Sequence, residues 1–156
     1  MKVVKHWHCG AERVLPLGTV EKFLAGLQDA DILLNRSNSA NIRGEVESAV
    51  LDSDLWVDRQ LVFPGKAMIY VTAMLDRIAL CIQLGNVARY YADILKLQQL
   101  YKNDEIDCGI LLVYTRDTAH SLHRGGGNLA TFERVVKELD LFKGVVNVPM
   151  LIAGVH

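Results

Sequence analysis

The residues of this chain with the types and spacing for chemistry fall on two neighbouring stretches, Lys66 to Met74 and Ile78 to Leu84. Ile78-Ala79-Leu80-Cys81-Ile82-Gln83-Leu84-Gly85 alternates strictly. Ile78, Leu80, Ile82 and Leu84 should face a core, with Ala79, Cys81, Gln83 and Gly85 on the opposite side of the strand. Only Leu75 to Arg77 separates the two stretches, so they should form a hairpin. A loop of Asp76-Arg77 sets Thr72 opposite Cys81 and Tyr70 opposite Gln83. Tyr70, Thr72, Cys81 and Gln83 then share one sheet face, a set of hydrogen-bonding groups with no carboxylate among them. From spacing alone, a lightly polar strand face lying under a helix is the better reading.

Three other groupings have suggestive residue types. His6-Trp7-His8-Cys9 has the donors of a zinc site, but the ligands are too close together and no CxxC partner exists. Surface histidines and a half-buried Trp7 are the better reading. Arg116, His120, His123 and Arg124 crowd the approach to Gly125-Gly126-Gly127-Asn128. Glycines admit a ligand to backbone amides, and a helix starting behind them favours anions, so this stretch could grip a DNA phosphate. A flexible loop with two exposed arginines accounts for it equally well. Arg89, Asp93, Lys96 and Gln99 line the polar side of one helix and read as a solvated face with contacts at helical spacing. No P-loop or dinucleotide fingerprint is present.

The elements that must position these residues follow from periodicity. Val3, Val4 and Trp7 suit an edge strand. Thr19 is placed to cap a helix carrying Val20, Phe23, Leu24 and Leu27. Asn35 to Asn41 is a polar break in which Ser39 or Asn38 can cap a second helix, with Ile42, Val46, Ala49 and Val50 on one side. That helix ends near Asp52 to Asp54. Trp56 to Phe63 reads as a strand, stopped by Pro64-Gly65, before the hairpin. Ala88 to Tyr101 is the clearest helix, with Val87, Tyr91, Ile94, Leu97 or Leu95, and Tyr101 as its buried stripe. Asp107 to Tyr114 is a continuous apolar run, the mark of a strand covered on both faces. Residues 115 to 127 read as a polar, glycine-rich loop. Asn128 then caps a helix bearing Leu129, Phe132, Val135, Val136 and Leu139, and Val148 to Val155 is a last strand. The order predicts a mixed-sheet α/β domain with helices on its faces, residues 1–156 forming one unit.

Composition narrows the function classes. Of 156 residues, 51% are hydrophobic and 22% charged, which suits a folded chain with a proper core and excludes a disordered one. The net charge of -1 excludes binding to nucleic acid by bulk charge, so any DNA site must be a local patch. Three cysteines, Cys9, Cys81 and Cys108, are too few for a disulfide framework, and a reducing cytoplasm fits. The opening MKVVKHWHCG has no long apolar region of a secretory signal, and no stretch reaches the length of a membrane span.

Several segments resemble, in order, the BglII-type restriction endonucleases of the PD-(D/E)xK nuclease superfamily: CIQLGN (81–86), VARYYADILKLQQLY (87–101), IDCGILLV (106–113), GNLATFERVVKEL (127–139) and VPMLIAGV (148–155). SNSANIRGEVESAV (37–50) with Leu55-Trp56 resembles the helix before the sheet. The resemblance implies a restriction-endonuclease-like core, double-stranded DNA as partner, a homodimer, and an Asp on the first hairpin strand with Glu-x-Gln, Glu-x-Glu or Glu-x-Lys on the second. Two such carboxylates hold Mg²⁺, which activates water for in-line displacement at phosphorus. Carried over residue by residue, the triplet falls on Cys81-Ile82-Gln83 and the Asp on Thr72. Gln83 fits, but a soft thiol and a neutral hydroxyl replace both acids. On this mapping no confident metal ligand remains, and Mg²⁺ matters only if the chain is active.

Three readings follow. One is a catalytically impaired relative retaining DNA or partner binding. Another is an active Mg²⁺-dependent endonuclease whose acids have moved to Asp76, Glu45 or Glu47, although Glu47 also suits a helical pair with Arg43. The third is a structural or interaction protein that keeps only the scaffold.

Overall fold

The computed structural model describes residues 1–51, 56–122 and 128–156. Its main elements are β1 (Val3–His8), α1 (Leu17–Asp29), α2 (Ile42–Leu51), β2 (Val57–Asp58), β3 (Leu61–Phe63), β4 (Ala67–Tyr70), β5 (Ala73–Leu75), β6 (Ile78–Ile82), α3 (Val87–Lys102), β7 (Cys108–Tyr114), α4 (Arg116–Leu122), α5 (Phe132–Leu141) and β8 (Met150–Val155). A six-stranded sheet has the order β1-β8-β7-β6-β5-β2, and β3 pairs with β4 beside it. Strands β6, β7 and β8 are parallel, while β1, β5 and β2 join antiparallel. This is the mixed α/β architecture that the sequence predicts.

Parallel neighbours need crossovers, and these place the helices. The chain passes from β6 to β7 through α3, and from β7 to β8 through α4 and α5. One apolar layer joins α1, α2 and α4 to Ile78, Leu80 and Ile82 of β6, Ile110 and Leu112 of β7, and Leu151 and Ala153 of β8. The other joins α3 and α5 to Ala79, Cys81, Leu111, Val113, Met150 and Ile152. All residues of β7 and β8 are buried, as their unbroken apolar runs require. Gly109 lets α3 lie close: a Cβ there would sit 2.9 Å from the Leu97 side chain.

Several expectations are corrected. The expected strands Trp56–Phe63 and Lys66–Met74 each divide between two sheets, because the chain swings out into β3 and β4 and back. Tyr70 therefore pairs with Leu61, not with Gln83. The loop expected over 115 to 127 begins with α4, and residues 123–127 lie outside the described ones. The expected end of α2 at Asp52 to Asp54 also lies outside them. Thr131, not Asn128, stands at the start of α5. The first helix begins before Thr19, at Leu17, with Pro16 at the cap position. Asn35 accepts the capping bond ahead of α2, from the Asn38 N–H. The buried stripe of α3 runs through Tyr90, Ile94, Leu97 and Leu100, while Leu95 is 65% and Tyr91 36% exposed. The stripe rotates because the helix packs on β7 and also against β3 of the second sheet.

Candidate functional site

The hairpin forms with the two-residue turn Asp76-Arg77: Ala73 faces Leu80, Met74 faces Ala79 and Leu75 faces Ile78. Asp76 takes the left-handed conformation that this tight turn requires, with φ 49°. Beyond Ala73 the ladder slips. The Thr72 N–H donates to the Leu80 carbonyl at 2.8 Å, and the Thr72 Oγ1 accepts the Ile82 N–H at 3.0 Å. The hydroxyl of Thr72 thus serves the backbone of β6.

Cys81 lies beneath α3 in the layer that holds Tyr90, Ile94 and Leu97, and is 1% exposed. Burial pushes its thiol pKa up, and the nearby Asp93 charge adds to that, so the sulfur stays protonated. Ala79 and Cys81 both belong to the second core layer, so this part of the strand face lies under a helix.

Gln83 follows β6 and is held beside β7 by its N–H, which donates to the Leu112 carbonyl at 2.8 Å. Its Nε2 donates to Asp93 Oδ2 at 2.8 Å, and Lys96 Nζ donates to Asp93 Oδ1 at 2.7 Å. A carboxylate only accepts, so the amide nitrogen must face it. Asp93 is 6% exposed. The solvated face expected at Arg89, Asp93 and Lys96 therefore contains a buried carboxylate with both oxygens engaged.

These groups border a cleft of about 470 Å³. Helix α2 contributes Arg43 and Glu47, paired at 2.7 Å. Asp58 and Arg59 stand at the edge strand, Tyr70 ends β4, Thr72 lies between β4 and β5, and α3 supplies Arg89, Asp93 and Lys96. Sequence reasoning missed Asp58 and Arg59. Their only sequence signal is a charged pair next to Trp56-Val57, and nothing local says that it folds back beside Thr72.

Of the residues expected at the site, Gln83, Thr72 and Glu47 come together at this cleft, with Cys81 sealed below it. Asp76 is exposed at the hairpin tip, and Glu45 borders a different groove, where it accepts a bond from Asn38 at 2.9 Å. Arg116 and His120 line a groove of about 530 Å³ with Leu129, Thr131 and Glu133, and Asn128 is exposed. His123 and Arg124 lie outside the described residues. At the far edge of the sheet, His8 is buried rather than on the surface. Its Nε2 lies 3.0 Å from the Val146 carbonyl and 3.2 Å from Cys9 Sγ. Burial lowers its pKa, partly offset by that carbonyl.

The donor set at the cleft does not fit Mg²⁺. A hard cation wants several ionised oxygens. Thr72 is neutral and already accepts a bond, Cys81 is a buried protonated thiol, Glu47 is tied to Arg43, and Asp93 is tied to Gln83 and Lys96, which leaves Asp58 as the one carboxylate lining the cleft without an ion pair among the described residues. Among the described residues no three His, Cys, Asp or Glu side chains come together as metal ligands.

The antiparallel hairpin, its crossover helix and the buried parallel strands beyond define a restriction-endonuclease core. The family described as restriction endonuclease BglII/BglIII matches residues 27–155, and the chain belongs to that family. Among solved structures, that of restriction endonuclease BglII complexed with a DNA 16-mer matches with a TM-score of 0.84 at 11% identity, covering 100% of this chain and 78% of that one. Free BglII matches with a TM-score of 0.68 at 13% identity, covering 100% and 80%. At such identities the likeness is one of fold. No curated protein matches the chain. Among the described residues no helix is long and apolar enough to cross a membrane.

Proposed function

We propose that this chain is a DNA-binding member of the BglII/BglIII family that does not cleave its substrate. The observation that carries the reading is the state of the two hairpin positions. Thr72 offers a neutral hydroxyl already bonded to Ile82, and Cys81 is a protonated thiol beneath α3. Neither supplies charge to a metal, so the step that needs metal-activated water has no support. The cleft beside them keeps a positive lining suited to a phosphate backbone, and the BglII relative was solved with DNA.

Supercoiled plasmid incubated with the protein in Mg²⁺, and separately in Mn²⁺, should stay intact beside a Gln83→Ala control. Nicking by the wild type that the control abolishes would mean that acids elsewhere, Glu47 first among them, do the work. Fluorescence anisotropy should show duplex binding at low salt that weakens as salt rises.

A second copy of the chain is part of the same reading. The bonds Tyr91–Glu138 and Gln98–Asn147 hold α3 against α5 and the segment after it. Exposed apolar side chains sit along that seam: Leu95, Leu141, Phe142 and Val145. A homodimer through this face predicts that Leu95→Glu with Leu141→Glu gives a monomer by light scattering. Residues 1–156 act as one domain in this reading, and the free thiols Cys9, Cys81 and Cys108 suit a reducing cytoplasm.

A further inference from the structure

The charges lining the Gln83 cleft are of two kinds. Arg43 and Lys96 are committed to Glu47 and Asp93, each at 2.7 Å. Arg59 and Arg89 line the same cleft, yet neither takes part in an ion pair among the described residues. Counted together, four cations face three carboxylates.

Arg59 is held with care. Its backbone is left-handed, φ 48°, a conformation that a long side chain adopts only where the surroundings impose it. The Arg59 N–H donates to the Thr72 carbonyl at 2.8 Å, and the next residue's carbonyl accepts the Val71 N–H. The guanidinium lies over the Tyr70 ring, 5.1 Å from its centroid. This kink fixes Arg59 to Thr72, the position where the family places its first acid. Arg89 joins the lining from the first turn of α3.

We propose that the cleft binds a phosphate oxyanion directly through Arg59 and Arg89, with no divalent metal between protein and ligand. Two carboxylates facing a phosphate repel it until a metal neutralises them. With Thr72 and Cys81 neutral those two charges are absent, Glu47 and Asp93 are each paired with a cation, and the Arg59 and Arg89 guanidinium groups outnumber the remaining Asp58 carboxylate. The proposal rests on the reading above, that the chain binds without cutting, and turns it into a prediction about metal dependence. The phosphate comes from a DNA backbone or from free phosphate, and the same chemistry serves both.

The test uses the full chain, in EDTA and in Mg²⁺, with Arg59→Gln, Arg89→Gln and Arg59→Lys. Arg13→Gln, exposed beside the opposite edge of the sheet, is the control. One arm measures duplex DNA by anisotropy across a salt series, and the other measures the melting shift given by inorganic phosphate. Wild-type affinity should be the same in EDTA and in Mg²⁺. Each Gln variant should lower the slope of log affinity against log salt by about 1, while Arg59→Lys keeps most of it. An arginine-dependent effect in the duplex arm assigns the DNA backbone, and one confined to the phosphate arm assigns free phosphate. Binding that requires Mg²⁺, or Gln variants that match wild type in both arms, overturns the proposal while the non-cleaving reading stands. Metal-dependent nicking of plasmid overturns that reading instead.

Discussion

In the six-stranded sheet, β7 and β8 pair along six residues with no exposed side chain, whereas β5 and β2 pair along two, and Asp58 and Arg59 beside them are exposed. The parallel half is specified by burial: each side chain has an apolar layer to enter, so few other placements satisfy it. The edge half is specified by a few polar bonds, from Arg59 to Thr72, from Ile82 to Thr72, and from Gln83 and Lys96 to Asp93. A polar bond can be exchanged without collapsing the core. The edge half therefore tolerates changes of side chain that the parallel half does not.

That contrast can be broken in order of size. Leu111→Ala empties a fully buried site between α3 and β7, and should cost about 2–5 kcal/mol in urea denaturation. A loss below about 1 kcal/mol would mean that the parallel half is no better packed than the edge. Asp93→Ala removes the shared acceptor of Gln83 and Lys96, and should cost about 1–3 kcal/mol by the same method. If it costs as much as Leu111→Ala, the cleft floor belongs to the core and the contrast fails.

The smallest effect is one of pH, at the other edge of the sheet. Above the ordinary value of 6.5, His8 is neutral in folded and unfolded chains alike. Below it the unfolded chain takes a proton that the buried ring resists. Stability should therefore fall as pH drops through 6.5 toward the lowered folded value, and level off beneath that value. His8→Gln should flatten this part of the urea-midpoint profile. A profile unchanged by the substitution would assign the acid sensitivity to other groups.

The same contrast explains what was legible in the sequence. The runs Cys108–Tyr114 and Met150–Val155, and the alternation of Ile78–Leu84, mark their strands because burial selects residue type at each position. The short gap between the two stretches marked a hairpin, but its turn pair and register were set only by the structure, because Asp76-Arg77 is not a favoured turn sequence. Gln83 and the neutral Thr72 and Cys81 came from family resemblance laid over that hairpin. The rest depends on long-range placement. Nothing near Arg59 in sequence says that its N–H meets Thr72. Asp93 reads as a surface acid because its partners are Lys96, one turn on, and Gln83, from another element. The break of each long strand into two, at Arg59-Gln60 and Val71-Thr72, leaves no periodic trace, since every piece is too short to show one.

Strand β1 pairs with β8 along its whole length, from Val3 opposite Val155 to His8 opposite Met150. During synthesis this strand leaves the ribosome well before its partner β8. For that interval VVKHWH is an unpaired edge in a crowded cell. Lys5, reaching over Trp7 at 5.9 Å from the ring centroid, puts a charge on the strand that would otherwise invite pairing with another nascent chain. Because β1 is also the outer strand of the finished sheet, the same charge stands on an open edge before and after folding.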